Sequence, residues 1–220
     1  MEQREQAIFC DSPSRQWMFG TVVLCVRKPI QEVAVLPRLN GKRIVLREYR
    51  ESDLNSIRRW VNDPATVQHL SDIFLYPQSE KQSREFLEMA MGNQWNGFVI
   101  AHKETQEYIG QIDFTHIDQK NGWGELGMVI GDGSHRGLGF GREALHLFLR
   151  FGFEQLRLNR IELVCWNNNT AGQRAYEAVG FVKEGVRRGK WYRDGDYHDE
   201  VCYGLLRDDY LANHVSTSSS

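Results

Sequence analysis

Hydrophobic and polar residues change their rhythm along this chain, and each change marks an element. Arg43 to Arg47 alternates around Ile44 and Leu46, which predicts a strand. Ser52 and Asp53 can cap a helix running toward Val61, and Asn62-Asp63-Pro64 stops it, because a proline disfavours helical backbone in the residue before it. Ser79 to Met91 repeats the helical spacing through Phe86, Leu87 and Met89-Ala90. Phe98 to Ala101, Tyr108 to Phe114 and Glu125 to Ile130 read as strands, the first two divided by the polar turn His102 to Glu107. From Phe140 onward, Ala144, Leu145, Phe148 and Leu149 share one helical face, with Arg142, Glu143, His146 and Arg150 largely elsewhere. Arg160 to Trp166 is a strand, Thr170 to Val179 a helix closed by Gly180, and Phe181 to Val186 another strand. Glu200 to Leu206 follows a polar turn at Asp194-Gly195-Asp196. The order predicts an α+β fold, with an antiparallel meander in the middle and strand-helix-strand crossovers after it.

The ends lack this rhythm. Residues 1–40 show no sustained period and contain Pro13, Pro29 and Pro37, so they read as an N-terminal extension before a single domain at 41–210. Residues 211–220 read as a disordered tail that ends in the low-complexity stretch Ser216 to Ser220. One account of the extension is an upstream translation start, with Met18 or a later point nearer the functional beginning. A length of 220 residues with 41% hydrophobic and 25% charged positions suits one domain with a real core. The formal charge of −2 provides no electrostatic footprint for duplex nucleic acid, so no nucleic-acid partner is expected. Cys10, Cys25, Cys165 and Cys202 form no CxxC pair and no zinc-ligand spacing, so no metal is expected either. The apolar run Trp17 to Val26 is too short to span a bilayer and follows no positively charged segment. The expectation is a cytoplasmic protein without a membrane partner.

The chemistry concentrates at Arg136-Gly137-Leu138-Gly139-Phe140-Gly141-Arg142, where three alternating glycines lead into a helix. Residues without Cβ let the backbone curl so that several N–H groups point one way, and the helix N-terminus adds partial positive charge. A phosphate or pyrophosphate is the expected guest. Gly139 to Ala144 also fits the loose dinucleotide pattern G-x-G-x-x-A, with Glu162 about 20 residues on as a ribose-binding acid. That pattern fits poorly, because a polar turn from Gly131 to Arg136 separates strand from glycines and Glu162 lies near the start of its strand. A structural glycine turn that binds nothing is a further alternative, resting only on how common glycine is in turns.

Arg136-x-x-Gly139-x-Gly141 resembles the coenzyme A pyrophosphate signature of the GNAT acetyltransferase superfamily. A second stretch, Asn169 followed by Tyr176-Glu177-Ala178-Val179-Gly180-Phe181, resembles the family segment that closes the coenzyme site. The resemblance runs from about Lys42 to Leu206 and includes the opening Arg43-Ile44-Val45-Leu46-Arg47 with the later Asp53-Leu54 pair. It departs at Gly172, where the family commonly has Ser or Ala. The resemblance implies a mostly antiparallel twisted sheet flanked by helices and splayed at the coenzyme-binding strand.

It also implies roles. Acetyl-CoA would be the cosubstrate, and an amine the acceptor. Glu125 would be the general base and Tyr176 the acid that protonates the departing thiolate. Main-chain groups of Met128, Val129 and Ile130 would hold the pantetheine arm. Amides of Gly137, Leu138, Gly139, Phe140, Gly141 and Arg142 would hold the pyrophosphate, with charge-assisted contacts from Arg136, and Asn169 would bond the pantetheine side. His135 reads as incidental. The segment Phe181 to Leu206, with Gly185, Trp191 to Gly195 and Asp199, resembles the branch of ribosomal-protein N-terminal and spermidine acetyltransferases. The acceptor would then be a ribosomal-protein N-terminus, a polyamine or another small amine. Asp194, Asp196, Asp199 and Glu200 would suit a polycation, although a solvated turn flanked by arginines is the plainer reading. The alternative is a non-catalytic acyl-CoA sensor or scaffold, and the family leaves room for a homodimer. Removal of residues 1–38 is expected to leave folding and activity intact, as thermal unfolding and turnover of the shortened chain would check.

Overall fold

The computed structural model describes residues 38–92 and 94–215. Eight strands form one sheet in the order β1-β2-β3-β4-β5-β6-β8-β7. They are β1 (Leu39–Asn40), β2 (Ile44–Arg47), β3 (Gly97–His102), β4 (Tyr108–Asp118), β5 (Trp123–Ile130), β6 (Arg160–Trp166), β7 (Val182–Arg193) and β8 (Asp196–Leu206). Every neighbouring pair is antiparallel except β5 and β6. The helices are α1 (Leu54–Val61), α2 (Pro64–Val67), α3 (Glu80–Met91), α4 (Phe140–Arg150), α5 (Thr170–Glu177) and α6 (Arg207–Val215).

Strand alternation divides the core between the two faces of the sheet. Ile44, Leu46, Phe98 and Ile100 point to the side of Ala144, Leu145, Phe148 and Leu149 of α4, while Val45, Val99 and Ala101 point to Ile57 and Trp60 of α1 and Leu87 of α3. The period of two in the strands therefore builds two apolar layers from one sheet. Ser79 caps α3 through a reciprocal box with Gln82. Asn62-Asp63-Pro64 ends α1 and starts α2 at once, with the Asp63 carboxylate accepting from the Ala65 amide.

Three boundaries differ from the sequence reading. The domain opens inside the expected extension, since Leu39 and Asn40 pair with Leu46 and Val45. The expected disordered tail is helical through Val215, because α6 packs Tyr210 on Phe153 with ring centroids 4.8 Å apart. Residues 1–37 and 216–220 lie outside the described residues. The last hairpin is longer than expected, as β7 and β8 run on to Arg193 and Asp196, closed by Asp194 and Gly195 with φ of 54° and 90°.

One buried ion pair fixes the start of the domain. Arg47, 1% exposed, donates to both carboxylate oxygens of Asp53 at 2.9 and 2.8 Å and to the Glu48 and Gln106 carbonyls. Asp53 also accepts from the Arg50 amide, so it locks the turn before α1 instead of capping that helix directly. Removing the carboxylate would leave a guanidinium buried without its counter-charge. Asp53→Ala should therefore cost about 3–5 kcal/mol of folding stability in urea titration.

Candidate active site

The sheet opens where its one parallel pair ends. β5 and β6 pair only at Trp123 to Glu125 against Arg160 to Glu162, and beyond Glu125 the edge of β5 that faces β6 has no strand partner. Met128, Val129 and Ile130, expected to carry a pantetheine arm, lie on that unpaired stretch. The side chains of Met128 and Ile130 pack toward α4 and that of Val129 toward α1 and α3, which leaves the main chain as the feature shared along the edge.

β5 runs into the glycine loop through a short 3-10 turn at Gly133–His135. Gly137 and Gly139 have φ of 74° and 85°, left-handed values that disfavour any side chain. Among the described residues, no protein acceptor meets the amides of Gly137, Leu138, Gly139, Phe140, Gly141 or Arg142. These free donors lie at the N-terminus of α4, the polarity that suits a phosphate group. The donor set fits the pyrophosphate of coenzyme A.

A clasp that the sequence reading did not anticipate holds this helix end. The Arg43 guanidinium lies 4.7 Å from the Phe140 ring centroid and donates to the Leu138 carbonyl at 2.9 Å. The Glu143 carboxylate accepts from the Arg43 side chain and from the Arg43 and Ile44 amides. Those bonds hold its carboxyl below the usual range against the cost of burial. The loop is thereby pinned to β2.

Arg136, expected to contact the pyrophosphate, is engaged by the protein itself. Its guanidinium donates to the carbonyls of Ile130 and Ala65 and to the Thr66 hydroxyl, so it braces the loop against α2 in place of presenting its donors to an anion. Arg142 is exposed and has no acidic partner among the described residues. His135 sits beside Asp132 and the Phe140 ring, outside the cavity described next.

The widened cleft leads into a cavity of about 590 Å³ lined by Glu125, Met128, Val129, Asn169 and Tyr176 among others. The expected acid and base and the coenzyme-arm positions Met128, Val129 and Asn169 thus share one space. Glu125 is the last residue of β5 paired with β6, and it also borders a smaller polar cavity of about 350 Å³ with Arg160, Glu162, Glu184 and Arg187. Tyr176 is buried, and that burial, with Cys165 and Tyr203 nearby, raises its pKa and keeps the phenol protonated at neutral pH. Its position follows from the helix end, where the Phe181 amide donates back to the Tyr176 carbonyl across Gly180, whose φ is 102°. Asn169 caps α5, its side-chain oxygen accepting from the Gly172 amide at 3.0 Å. A Cβ at position 172 would come within 2.7 Å of the Asn169 side chain, so the unusual glycine there leaves room for the cap. Burial pushes the Cys165 thiol up to about 12, which makes it an inert wall beside Tyr176.

The rest of the cavity was not anticipated. Trp60, Phe74, Phe86, Trp95, Trp166 and Trp191 supply aromatic walls. Trp166 and Trp191 stack at 5.6 Å, and Arg193 lies over Trp166 while donating to the Val67 and Gln68 carbonyls, which ties the β7–β8 hairpin to the α2 side. The expected acidic patch does not form part of it. Asp194 and Asp196 are exposed at the hairpin tip, Asp199 accepts from the Gly189 amide, and buried Glu200 holds Arg187 and the Trp191 indole. None of the four lines the cavity. The carboxylate that does so beside Glu125 is Asp113 of β4, 5% exposed, with Oδ2 lacking any hydrogen-bond partner. Burial pushes its pKa up to about 7. Its signal in the sequence is an acid between Ile112 and Phe114 in the strand-forming run Tyr108 to Phe114.

No helix among the described residues is long and apolar enough to cross a membrane, and none of their His, Cys, Asp and Glu side chains cluster as a metal site. The sheet order, the opening between β5 and β6, the glycine loop and the buried tyrosine define the fold of an acyl-transferring enzyme. The family pattern of the acetyltransferase (GNAT) domain matches residues 43–182, and the chain belongs to the GNAT family of N-acetyltransferases. It is 32% identical over 177 residues to the uncharacterized N-acetyltransferase p20 of Bacillus licheniformis, covering 78% of this chain and 97% of that one. Its fold is similar to that of spermidine N-acetyltransferase from Vibrio cholerae in complex with CoA and spermine, with a TM-score of 0.68, 25% identity, and 77% of this chain and 98% of that one covered. It is also similar in fold to a ribosomal L7/L12 alpha-N-protein acetyltransferase in complex with coenzyme A, with a TM-score of 0.68, 20% identity, and 79% and 99% of the two chains covered.

The buried Asp113 predicts an unusual pH dependence of stability. Above about pH 7 the carboxylate is ionised in both folded and unfolded chains, and the folded state bears the full cost of burying it. Below about pH 4 it is neutral in both. Stability from this group therefore falls as pH rises through that window. Asp113→Asn should raise the melting temperature at pH 8, and the gain should vanish near pH 4 in the same thermal scans.

Proposed function

We propose that this enzyme transfers the acetyl group of acetyl-CoA to a primary amine by direct attack on the thioester. The observation that carries the reading is a single continuous arrangement, with free amides from Gly137 to Arg142 at one end and Glu125 and Tyr176 lining one cavity at the other. Bound acetyl-CoA supplies the acetyl group in activated form. The loop amides and Arg142 hold the pyrophosphate, while Arg136 keeps the loop in place. The open edge of β5 offers the main chain of Met128, Val129 and Ile130 to the pantetheine arm as though to an added strand, and Asn169 bonds its other side. Glu125 takes the proton that the ammonium must lose before it can attack, directly or through one water. Tyr176, neutral at physiological pH, gives its proton to the departing sulfur.

The CoA complexes of the Vibrio cholerae and ribosomal-protein enzymes support the donor, and their named acceptors support an amine. A catalytic enzyme accounts for a protonated tyrosine and a carboxylate in one cavity, whereas a sensor would need neither. Thiol release from acetyl-CoA over polyamines, amino acids, aminoglycosides and N-terminal peptides tests the activity, and coenzyme binding without turnover on any amine would favour the sensor. Tyr176→Phe is expected to lower kcat by about 10²-fold or more with little change in coenzyme affinity. Glu125→Gln is expected to remove the rise of rate with pH on the acidic side of the pH–rate profile, and an unshifted profile would remove Glu125 as the base.

A further inference from the structure

The cavity that takes the acceptor under the reading above has an unusual balance of charge. Its walls are aromatic and apolar, and its carboxylates are Glu125 at the mouth of the cleft and Asp113 within. Asp113 stands opposite Gly127 across β4 and β5, and a Cβ on Gly127 would lie 3.4 Å from Asp113 Oδ2. The glycine places no side chain against that buried carboxylate oxygen, on the strand face that also bears Glu125 and Val129. On its other side, the position of a Cβ on Gly97 lies 2.5 Å from the Asp113 Cβ and 2.9 Å from Trp95 Nε1, another buried polar atom without a partner. A buried, unpaired acceptor among Trp60, Phe86 and Trp95 has the two features that bind an ammonium group, a counter-charge and π faces.

We infer that Asp113 is the counter-ion for the acceptor's ammonium group, and that the acceptor is a compact amine carrying one positive charge on an apolar or aromatic body. This inference rests on the acetyl-transfer reading for the meaning of the cavity, and it narrows the acceptor class. A polyamine chain needs carboxylates spaced along its length, and the acids at Asp194, Asp196, Asp199 and Glu200 lie outside the cavity or are already bonded. An apolar amine needs one carboxylate and a large apolar wall, which is what the cavity provides. Asp113 lies one position from the residue paired with Met128, so an ammonium held there arrives beside the β5 edge. It acts as a specificity-determining residue, and Glu125 keeps its role as base.

Among the groups around the cavity, the buried phenols and the Cys165 thiol stay protonated between pH 6 and 8. Tyr49 and Tyr108 are buried phenols with raised pKa values, and His69 is kept neutral by burial and by Arg193. Glu125 is the remaining acid facing the cavity, and α1 and α3 present no charged side chain to it.

The test is calorimetric titration of the full chain, with and without coenzyme A, using phenethylamine, its neutral isostere 2-phenylethanol and spermidine. At pH 8, phenethylamine should bind at least tenfold more tightly than 2-phenylethanol and more tightly than spermidine. Asp113→Asn should abolish the preference for the ammonium while still binding 2-phenylethanol. Between pH 6 and 8 the affinity of the native protein for phenethylamine should rise by about tenfold as Asp113 ionises, and that of the Asn variant should stay flat. Asp113→Glu, which keeps the charge, should retain part of the preference, so a folding defect in one variant does not decide the matter. Equal phenethylamine affinity in native and Asn proteins, tighter binding of spermidine, or no amine binding at all overturns the inference. Because binding is read without turnover, these outcomes are separate from failure of thiol release, which would overturn acetyl transfer itself.

Discussion

The parting of β5 from β6 after three paired residues governs the rest of the molecule. A parallel pair that continued past Glu125 and Glu162 would use up the edge of β5 and close the sheet. By ending there, it leaves main-chain groups facing a cleft, and unpaired backbone groups in a protein interior are costly unless something satisfies them. Such an edge is a template for an extended guest. The same parting lets the cavity penetrate between the faces of the sheet, so that side chains from β5, β6, α1, α3 and α5 all reach it. Fold and candidate site are one feature here, because the defect in the sheet is what opens the cavity.

What surrounds the opening keeps it from collapsing. At one end α4 is fixed by Arg43 and Glu143, and its first amides are left without intrahelical acceptors as in every helix. On the far side α5 is fixed by Asn169 at its start and by the backward bond across Gly180 at its end, which sets the depth of Tyr176. The β7–β8 hairpin lies against α2 through Arg193, and Trp191 and Trp166 form a rigid aromatic wall. Each restraint acts on a backbone terminus or a planar group, which holds the cleft open without filling it.

Much of this was legible in the sequence, for reasons specific to each element. The strand β6 was expected at Arg160 to Trp166 and is found there, because apolar alternation and a following cap coincide. The glycine loop and the Tyr176 segment were legible because left-handed turns and backward helix-end bonds require glycine at fixed positions. Long-range pairings were not. The Arg43–Glu143 clasp joins residues 100 apart, and nothing local to either signals it. The bonds of Arg136 to the Ile130 and Ala65 carbonyls were not legible either, because its place beside the loop suggests an anion contact and says nothing of the carbonyls that meet it in space. The acidic hairpin reads in the sequence as a solvated turn flanked by arginines, and Arg187 and the Gly189 amide do take up Glu200 and Asp199, although charge counted along the chain does not say which partners they are.

Two buried aspartates show how burial alone fails to separate structural from functional acids. Asp53 and Asp113 are 2% and 5% exposed. Asp53 has Arg47 and the Arg50 amide as partners, so its charge is satisfied within the fold and its loss would strand a cation. Asp113 has a carboxylate oxygen with no partner and opens onto a cavity, so its charge carries a cost that no protein group offsets. A fold selected only for stability would replace such a group with an amide or an apolar residue. The difference lies in what remains for each carboxylate to bind: nothing for Asp53, and for Asp113 a cation that must come from outside the chain.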